Sequence, residues 1–119
     1  MSREILVIEP DPKAQKAIQT LLEPLGIACR FASALECLEG GKIKAGLILM
    51  NGTDENRAAV RALRARSVHT PIIALSSCDD DSRDEELYGC GFDAVIREPL
   101  SAFRFQQIVW NFLKLDKRK

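Results

Sequence analysis

The sequence predicts an α/β fold in which helices cover both faces of a doubly wound, five-stranded parallel sheet. Short apolar runs alternate with stretches of helical period along the whole chain, which is typical of that architecture. The chain has 119 residues and no repeat, low-complexity segment or linker that would divide it. We therefore expect one domain over residues 1–119.

The strand candidates differ in how apolar they are. They span residues 4–8, 27–31, 46–50, 71–75 and 93–97. The first, third and fourth are apolar runs and are predicted to be central strands, buried on both faces. The second and fifth are predicted to flank them. This order predicts a ligand crevice at the carboxyl ends of the first and third strands, where the strand order reverses.

Five helices are predicted between and after these strands. One apolar stripe defines the first helix, which Pro24 and Gly26 bring to an end; its members are Ala14, Ile18, Leu21, Leu22 and Leu25. A capping box opens at Ser33, and Gly40-Gly41 ends the short second helix that follows. The remaining helices are predicted at about 55–66, 80–90 and 101–115.

Charge and hydropathy exclude several classes of function. Lys and Arg number 17, as do Asp and Glu, so bulk charge does not drive nucleic-acid binding. The apolar runs are shorter than the roughly 20 residues that cross a bilayer. A strand pattern that begins at Glu4 leaves no room for a signal peptide. We therefore expect a cytoplasmic domain with neither a nucleic-acid nor a membrane partner.

The thiols and the imidazole predict no metal site. The four cysteines form no CxxC pair, and His69, the only histidine, lies near none of them in sequence. Their positions are 29, 37, 78 and 90. We expect buried apolar thiols, and neither a metal nor another cofactor.

Several segments in a fixed order resemble the response-regulator receiver domain. They are ILVIE at 5–9, LILM at 47–50, TPIIALS at 70–76, and GFD at 91–93 followed by Pro99. The resemblance covers nearly the whole chain, from residue 4 to about residue 113. It implies a flavodoxin-like sheet with the strand order 2-1-3-4-5.

In receivers, an aspartate after the third strand accepts a phosphoryl group, and a lysine after the fifth strand pairs with it. Acids after the first strand hold a Mg²⁺ ion that neutralises the incoming oxygens. Carried over by position, the acceptor falls on Asn51, the second metal acid on Pro10 and the lysine on Glu98. A carboxamide is not a competent nucleophile, proline offers no side-chain oxygen, and Glu98 has the opposite charge.

The resemblance implies a degenerate pocket with two further positions, and a separate switch position. Glu9 keeps one acid of the metal pair, and Ser76 keeps the hydroxyl that senses phosphorylation. Val95 stands where many receivers have an aromatic residue that rotates on activation. Residual phosphotransfer through Asp11 or Asp54 is disfavoured, because both acids are displaced from the strand end that must position the acceptor.

Two surfaces are candidates for carrying the function. On the last helix, Phe103 and Trp110 point away from the core-facing stripe and are candidate interface residues; the alternative is that both pack locally. On the third predicted helix, Arg57, Arg61 and Arg64 line one side and form a candidate anion patch. The alternative is a solvated helix face.

The sequence therefore predicts a non-phosphorylatable pseudo-receiver domain with no catalytic residue, which is not an enzyme. Its expected role is a protein-interaction or dimerisation module in two-component-type, phosphorelay signal transduction. Its expected partner is a signalling protein or a second copy bound through the last helix. The alternative is a sensor of a small ligand, a nucleotide or metabolite, on a receiver scaffold.

Overall fold

The strands form one parallel sheet. A computed structural model describes residues 4–9, 11–33, 45–76, 81–97 and 101–117. Its strands are β1 (Ile5–Ile8), β2 (Cys29–Phe31), β3 (Leu47–Asn51), β4 (Ile72–Ser76) and β5 (Ala94–Arg97). All neighbouring strands pair in parallel, in the order β2-β1-β3-β4-β5. The predicted fold class and strand order are confirmed.

Helices connect the strands at close to the predicted positions. They are α1 (Pro12–Leu22), α2 (Asp54–Ala65), α3 (Asp81–Cys90) and α4 (Ala102–Lys117). A single 3₁₀ turn at Glu23–Leu25 follows α1, and Gly26 ends it in a left-handed conformation with φ of 69°. The short second helix predicted after Ser33 falls in residues 34–44, which lie outside the described part of the chain.

Alternate side chains of the central strands fill two apolar cores, one on each face of the sheet. Ile5 and Val7 of β1 pack with Ile18 and Phe105, on the side covered by α1 and α4. Leu6 and Ile8 belong to the other core, which α2 and α3 cover. Every residue of β1 and β4 is buried, whereas β2 and β5 are partly exposed. The predicted division into central and flanking strands is confirmed.

Side-chain caps start the two helices that border the crevice. The Asp11 carboxylate accepts a hydrogen bond from the amide of Lys13 (3.1 Å) at the start of α1. The hydroxyl of Thr53 accepts one from the amide of Asn56 (3.3 Å) at the start of α2. Both caps satisfy amides that have no partner within the helix.

The two cysteines whose side chains the structure describes are free thiols. Cys90 is buried, and Cys29 is half-buried in β2. Burial raises the pKa of the Cys29 thiol, and the nearby Glu23 carboxylate raises it further. Cys29 therefore stays protonated and packs as a small apolar group.

None of the helices in the described ranges is long and apolar enough to cross a bilayer.

The loop after β3 is packed tightly under α3. A Cβ atom added at Gly52 would lie 2.8 Å from Cδ2 of Leu87, a side chain that is itself buried in the core. A residue with a side chain fits between β3 and α3 at this point only if Leu87 shifts. Gly52 therefore sets how closely α3 approaches the end of the strand.

We predict that Gly52→Ala lowers the free energy of unfolding by about 1–3 kcal/mol, the usual cost of overpacking a core. Urea denaturation followed by circular dichroism measures it. Gly89→Ala is the matched control, since a Cβ at that position meets nothing within 4 Å and alanine favours the helix. Adding Leu87→Val to Gly52→Ala should recover part of the loss; strictly additive effects would contradict the contact.

Candidate functional site

The carboxyl edge of the sheet brings three predicted pocket residues close together. Ile8 pairs with Met50, so Glu9 and Asn51, the next residues on their strands, reach the edge at the same level. Asn51 pairs with Leu75, which precedes Ser76 at the end of β4. The other two predicted members of the degenerate pocket, Pro10 and Glu98, lie outside the described residues.

A cavity of about 530 Å³ opens beside this edge. Its wall includes Glu9, Asn51 and Thr53, together with Phe31 and Ala32 from the end of β2. Ser76 is buried at the end of β4 but is not part of the described wall. The cavity therefore occupies the predicted crevice, where the strand order reverses between β1 and β3.

Glu9 is held in the wall by the first turn of α1. It is only 7% exposed, and its Oε1 accepts a hydrogen bond from the amide of Asp11 (3.0 Å). The side-chain amide of Gln15 donates to the Glu9 backbone carbonyl (2.6 Å). The carboxylate at this position is therefore fixed in place between β1 and α1.

Asn56 holds the other side of the cavity. Its side chain is also only 7% exposed, and its Nδ2 donates to the backbone carbonyl of Asn51 (2.9 Å). This bond ties the last residue of β3 to the first turns of α2. The sequence does not predict Asn56 or Gln15 as site residues, although each is a polar residue aligned with buried positions of its helix.

The residues of the cavity do not fit the divalent metal that the receiver resemblance implies. Hard cations of this kind prefer a near-octahedral set of oxygen ligands that includes carboxylates. Within the described residues, no three His, Cys, Asp or Glu side chains lie close enough to hold a metal ion. Glu9 carries the only buried carboxylate among the residues that the structure describes.

The predicted switch position, Val95, lies on β5, an edge strand of the sheet. Val95 is half-buried in β5, pairs with Ala74 and packs against the core that contains Leu87. Its branched aliphatic side chain cannot make the ring rotation of an aromatic residue. Its assignment as a degenerate switch position stays a prediction.

The two displaced acids are engaged in helix starts. Asp11 is the N-cap of α1. Asp54, the first residue of α2, is largely exposed and forms an ion pair with Arg57. Neither acid lies on a strand end, as the sequence predicts.

The three arginines of the candidate anion patch have different environments. Arg57 forms ion pairs with Asp54 and, at 3.0 Å, with Glu86 of α3. Arg61 is exposed. An anion at this patch would have to displace the acidic partners of Arg57, so the assignment remains a prediction that the geometry disfavours.

Arg64 connects three segments of the chain. Its Nη1 donates to the carbonyls of Val68 (2.7 Å) and Thr70 (3.0 Å). Its Nε and Nη2 donate to the carbonyl of Gly91 (3.1 and 2.9 Å), and Nη2 also pairs with Asp93 (2.7 Å). Its guanidinium thus joins the end of α2 to the starts of β4 and β5. This structural role, not anion binding, is the one that the contacts support.

Phe103 and Trp110 of α4 are exposed, as the sequence predicts. Phe103 is 74% exposed and Trp110 is 38% exposed, whereas Phe105 and Val109 of the same helix are fully buried. Tyr88 of α3 is 51% exposed. The use of Phe103 and Trp110 as an interface remains a prediction.

Comparison with known families assigns the chain. The model described as "Flagellar regulatory protein FleQ" matches residues 4–109. The chain belongs to the FleQ family. No curated protein matches the sequence significantly.

Solved structures similar to this FleQ-family chain are receiver domains. A Francisella response regulator receiver domain is 24% identical with a TM-score of 0.83, covering 93% of this chain and 96% of its own. The receiver domain of a sensor histidine kinase from Pseudomonas aeruginosa, whose structure has magnesium in its active-site cleft, is 22% identical (TM-score 0.79, 96% and 99% covered). That of a Syntrophus aciditrophicus histidine kinase is 23% identical (TM-score 0.84, 98% and 93% covered). These similarities confirm the receiver fold.

We predict that Arg64→Lys lowers the free energy of unfolding of this FleQ-family chain by about 1–3 kcal/mol. A single ammonium cannot reach acceptors in three segments, which leaves part-buried carbonyls without donors. Thermal or urea denaturation measures the change. Arg61→Lys on the exposed face of the same helix should change stability by less than about 0.5 kcal/mol. Equal effects of the two substitutions would contradict the structural role of Arg64.

Proposed function

We propose that this chain is a pseudo-receiver domain that accepts no phosphoryl group and acts as a protein-interaction or dimerisation module in two-component-type signalling. One observation carries the proposal. The residue that ends β3 beside the buried Glu9 is Asn51, and its neutral carboxamide cannot attack phosphorus.

The surroundings of Asn51 support the same conclusion. Phosphoryl transfer depends on cations that neutralise charge on the equatorial oxygens. Glu9 and Glu55, both negative, line the cavity, and none of its described wall residues is Lys or Arg. The sequence adds Pro10 and Glu98 at the positions where receivers have a metal acid and a lysine.

The output of such a domain has to come from its surface. Phe103 is the most exposed of the large apolar side chains in the described residues, and Trp110 is exposed on the same helix. Exposed aromatic residues are favoured at protein interfaces, where they bury a large area on binding. A net charge of zero adds no repulsion between two copies. We therefore propose self-association through α4, in keeping with a regulatory role in the FleQ family.

The absence of phosphorylation is tested with a small phosphodonor. We predict that acetyl phosphate with Mg²⁺ adds no phosphoryl mass to the chain in an intact-mass measurement, while a phosphorylatable receiver treated in parallel gains it. The matched variant combines Pro10→Asp, Asn51→Asp and Glu98→Lys, which restores the receiver residues. Phosphorylation of the unmodified chain, located by peptide mapping at Asp11 or Asp54, would contradict the proposal.

The interface is tested by sedimentation velocity over a range of concentrations. We predict that Phe103→Ser shifts the chain toward monomer without lowering its melting temperature, because the ring is exposed and supports no core packing. Tyr88→Ser, an exposed aromatic residue on α3, is the matched control and should leave self-association unchanged. A concentration-independent monomer, or a dimer insensitive to Phe103→Ser, would rule out this interface.

A small-ligand sensor is the second candidate function. The cavity of about 530 Å³ favours it, because its volume suits a small metabolite and its wall contains buried polar side chains.

A further inference from the structure

Two of the three carboxamides in the described cavity wall, those of Gln15 and Asn56, have fixed orientations. Nε2 of Gln15 faces the carbonyl of Glu9, and Nδ2 of Asn56 faces the carbonyl of Asn51. An amide oxygen at either place would face another oxygen, so only the nitrogen can occupy it. Each NH₂ group thereby gives one of its two N–H donors to the backbone.

Among the groups that Glu9, Gln15 and Asn56 leave for a ligand, acceptors outnumber donors. Within the described residues, no hydrogen bond is made to Oε1 of Gln15 or to Oδ1 of Asn56. The carboxylate of Glu9 accepts only one, from the amide of Asp11 through Oε1. Glu55 adds a second carboxylate to the wall.

Charges in the described wall have a single sign. It contains Glu9 and Glu55 but no Lys, Arg or His. The amides of Lys13 and Asn56 in the first turns of α1 and α2 donate to the Asp11 and Thr53 side chains. These helix starts therefore offer fewer free amides to an anion than uncapped ones. A phosphate or nucleotide is disfavoured here.

Glu9 needs a cation that the described residues do not supply. A buried carboxylate is costly unless it is paired and hydrogen-bonded. Glu9 forms no ion pair with any residue in the described ranges. A bound cation would offset this cost.

Cavity size and lining indicate an organic cation. About 530 Å³ is far more than a bare metal ion fills, and Ile8, Phe31 and Ala32 give the wall an apolar part. Ammonium and guanidinium groups are donors without acceptors, and so match a wall in which acceptors predominate. A short aliphatic body would pack on the apolar part.

We propose that this cavity binds a small organic cation, with an ammonium or guanidinium group on Glu9, Gln15 and Asn56 and an aliphatic body on Ile8 and Phe31. This deepens the second candidate function by naming its ligand class. It does not depend on self-association through α4 or on the absence of phosphorylation.

The test is a titration of the ¹⁵N-labelled chain with n-butylammonium chloride, followed by NMR. The side-chain NH₂ signals of Gln15 and Asn56 report on the site directly. We expect both to shift saturably, with a dissociation constant in roughly the millimolar range for so small a ligand. n-Butanol, which has no charge, and MgCl₂, which has no aliphatic body, should produce no such shift.

Two variants change the charge of the cavity wall in opposite directions and so test the role of charge in binding. Glu9→Gln should weaken binding roughly tenfold or more, since it removes a charge-assisted hydrogen bond. Asn51→Asp should strengthen binding by adding a carboxylate to the wall, so the test does not rest on the folding of one variant. Glu23→Gln, exposed and outside the cavity, is the matched control.

Several results would overturn the proposal. They are the absence of a saturable shift, equal shifts with n-butanol, the same shifts with MgCl₂ alone, or unchanged affinity in both Glu9→Gln and Asn51→Asp. Binding of ATP or inorganic phosphate at the Gln15 and Asn56 signals would also overturn it. None of these results affects the phosphodonor and sedimentation measurements. The ligand proposal and the proposed function can therefore each fail without the other.

Discussion

Parallel pairing of β1 with β3 is the constraint on which the rest of the molecule depends. Because the strands run in one direction and in register, the residues that follow Ile8 and Met50 reach the same edge of the sheet. The side chains at these two positions are therefore neighbours, whether or not they can react. The polar cavity at Glu9 and Asn51 is therefore a property of the topology rather than of the phosphoryl chemistry.

The energies involved explain why the edge can change while the fold persists. Burying a single Leu or Ile side chain contributes about 1.5–3 kcal/mol, and two cores on the faces of the sheet contain many of them. A hydrogen bond at the edge contributes about 0.5–1.5 kcal/mol. Replacing a few edge residues costs little against this background. The receiver fold thus remains in this FleQ-family chain, in which β3 ends at Asn51.

Much of the fold could be predicted from the sequence, because strand burial and helix period leave direct traces in residue order. The central and flanking strands and the exposure of Phe103 and Trp110 followed from that periodicity, whereas the strand order 2-1-3-4-5 followed from the receiver resemblance. The positions of Glu9 and Asn51 followed from the ends of apolar runs, although β3 and β4 each extend one residue further than their last apolar residue suggests.

The roles of several polar side chains could not be predicted, because they depend on backbone carbonyl acceptors whose positions are set by the fold and not by residue type. Arg64 was grouped with Arg57 and Arg61 by helical spacing, yet its guanidinium is directed by the carbonyls of Val68, Thr70 and Gly91. Gln15 and Asn56 were missed for the same reason. One feature of the sequence could have indicated a role for Asn56. It lies on the apolar stripe of Val60 and Leu63, where a polar residue is unexpected.

The close approach of Leu87 to Gly52 has an evolutionary consequence. Any side chain larger than hydrogen after Asn51 meets Leu87, so the two positions cannot diverge independently. A lineage that enlarges residue 52 must first trim residue 87, on a different helix, and the reverse order passes through a strained intermediate. Because substitutions at the two positions depend on each other, the present loop is expected to persist. A change to a loop with a larger residue at position 52 needs more than one substitution.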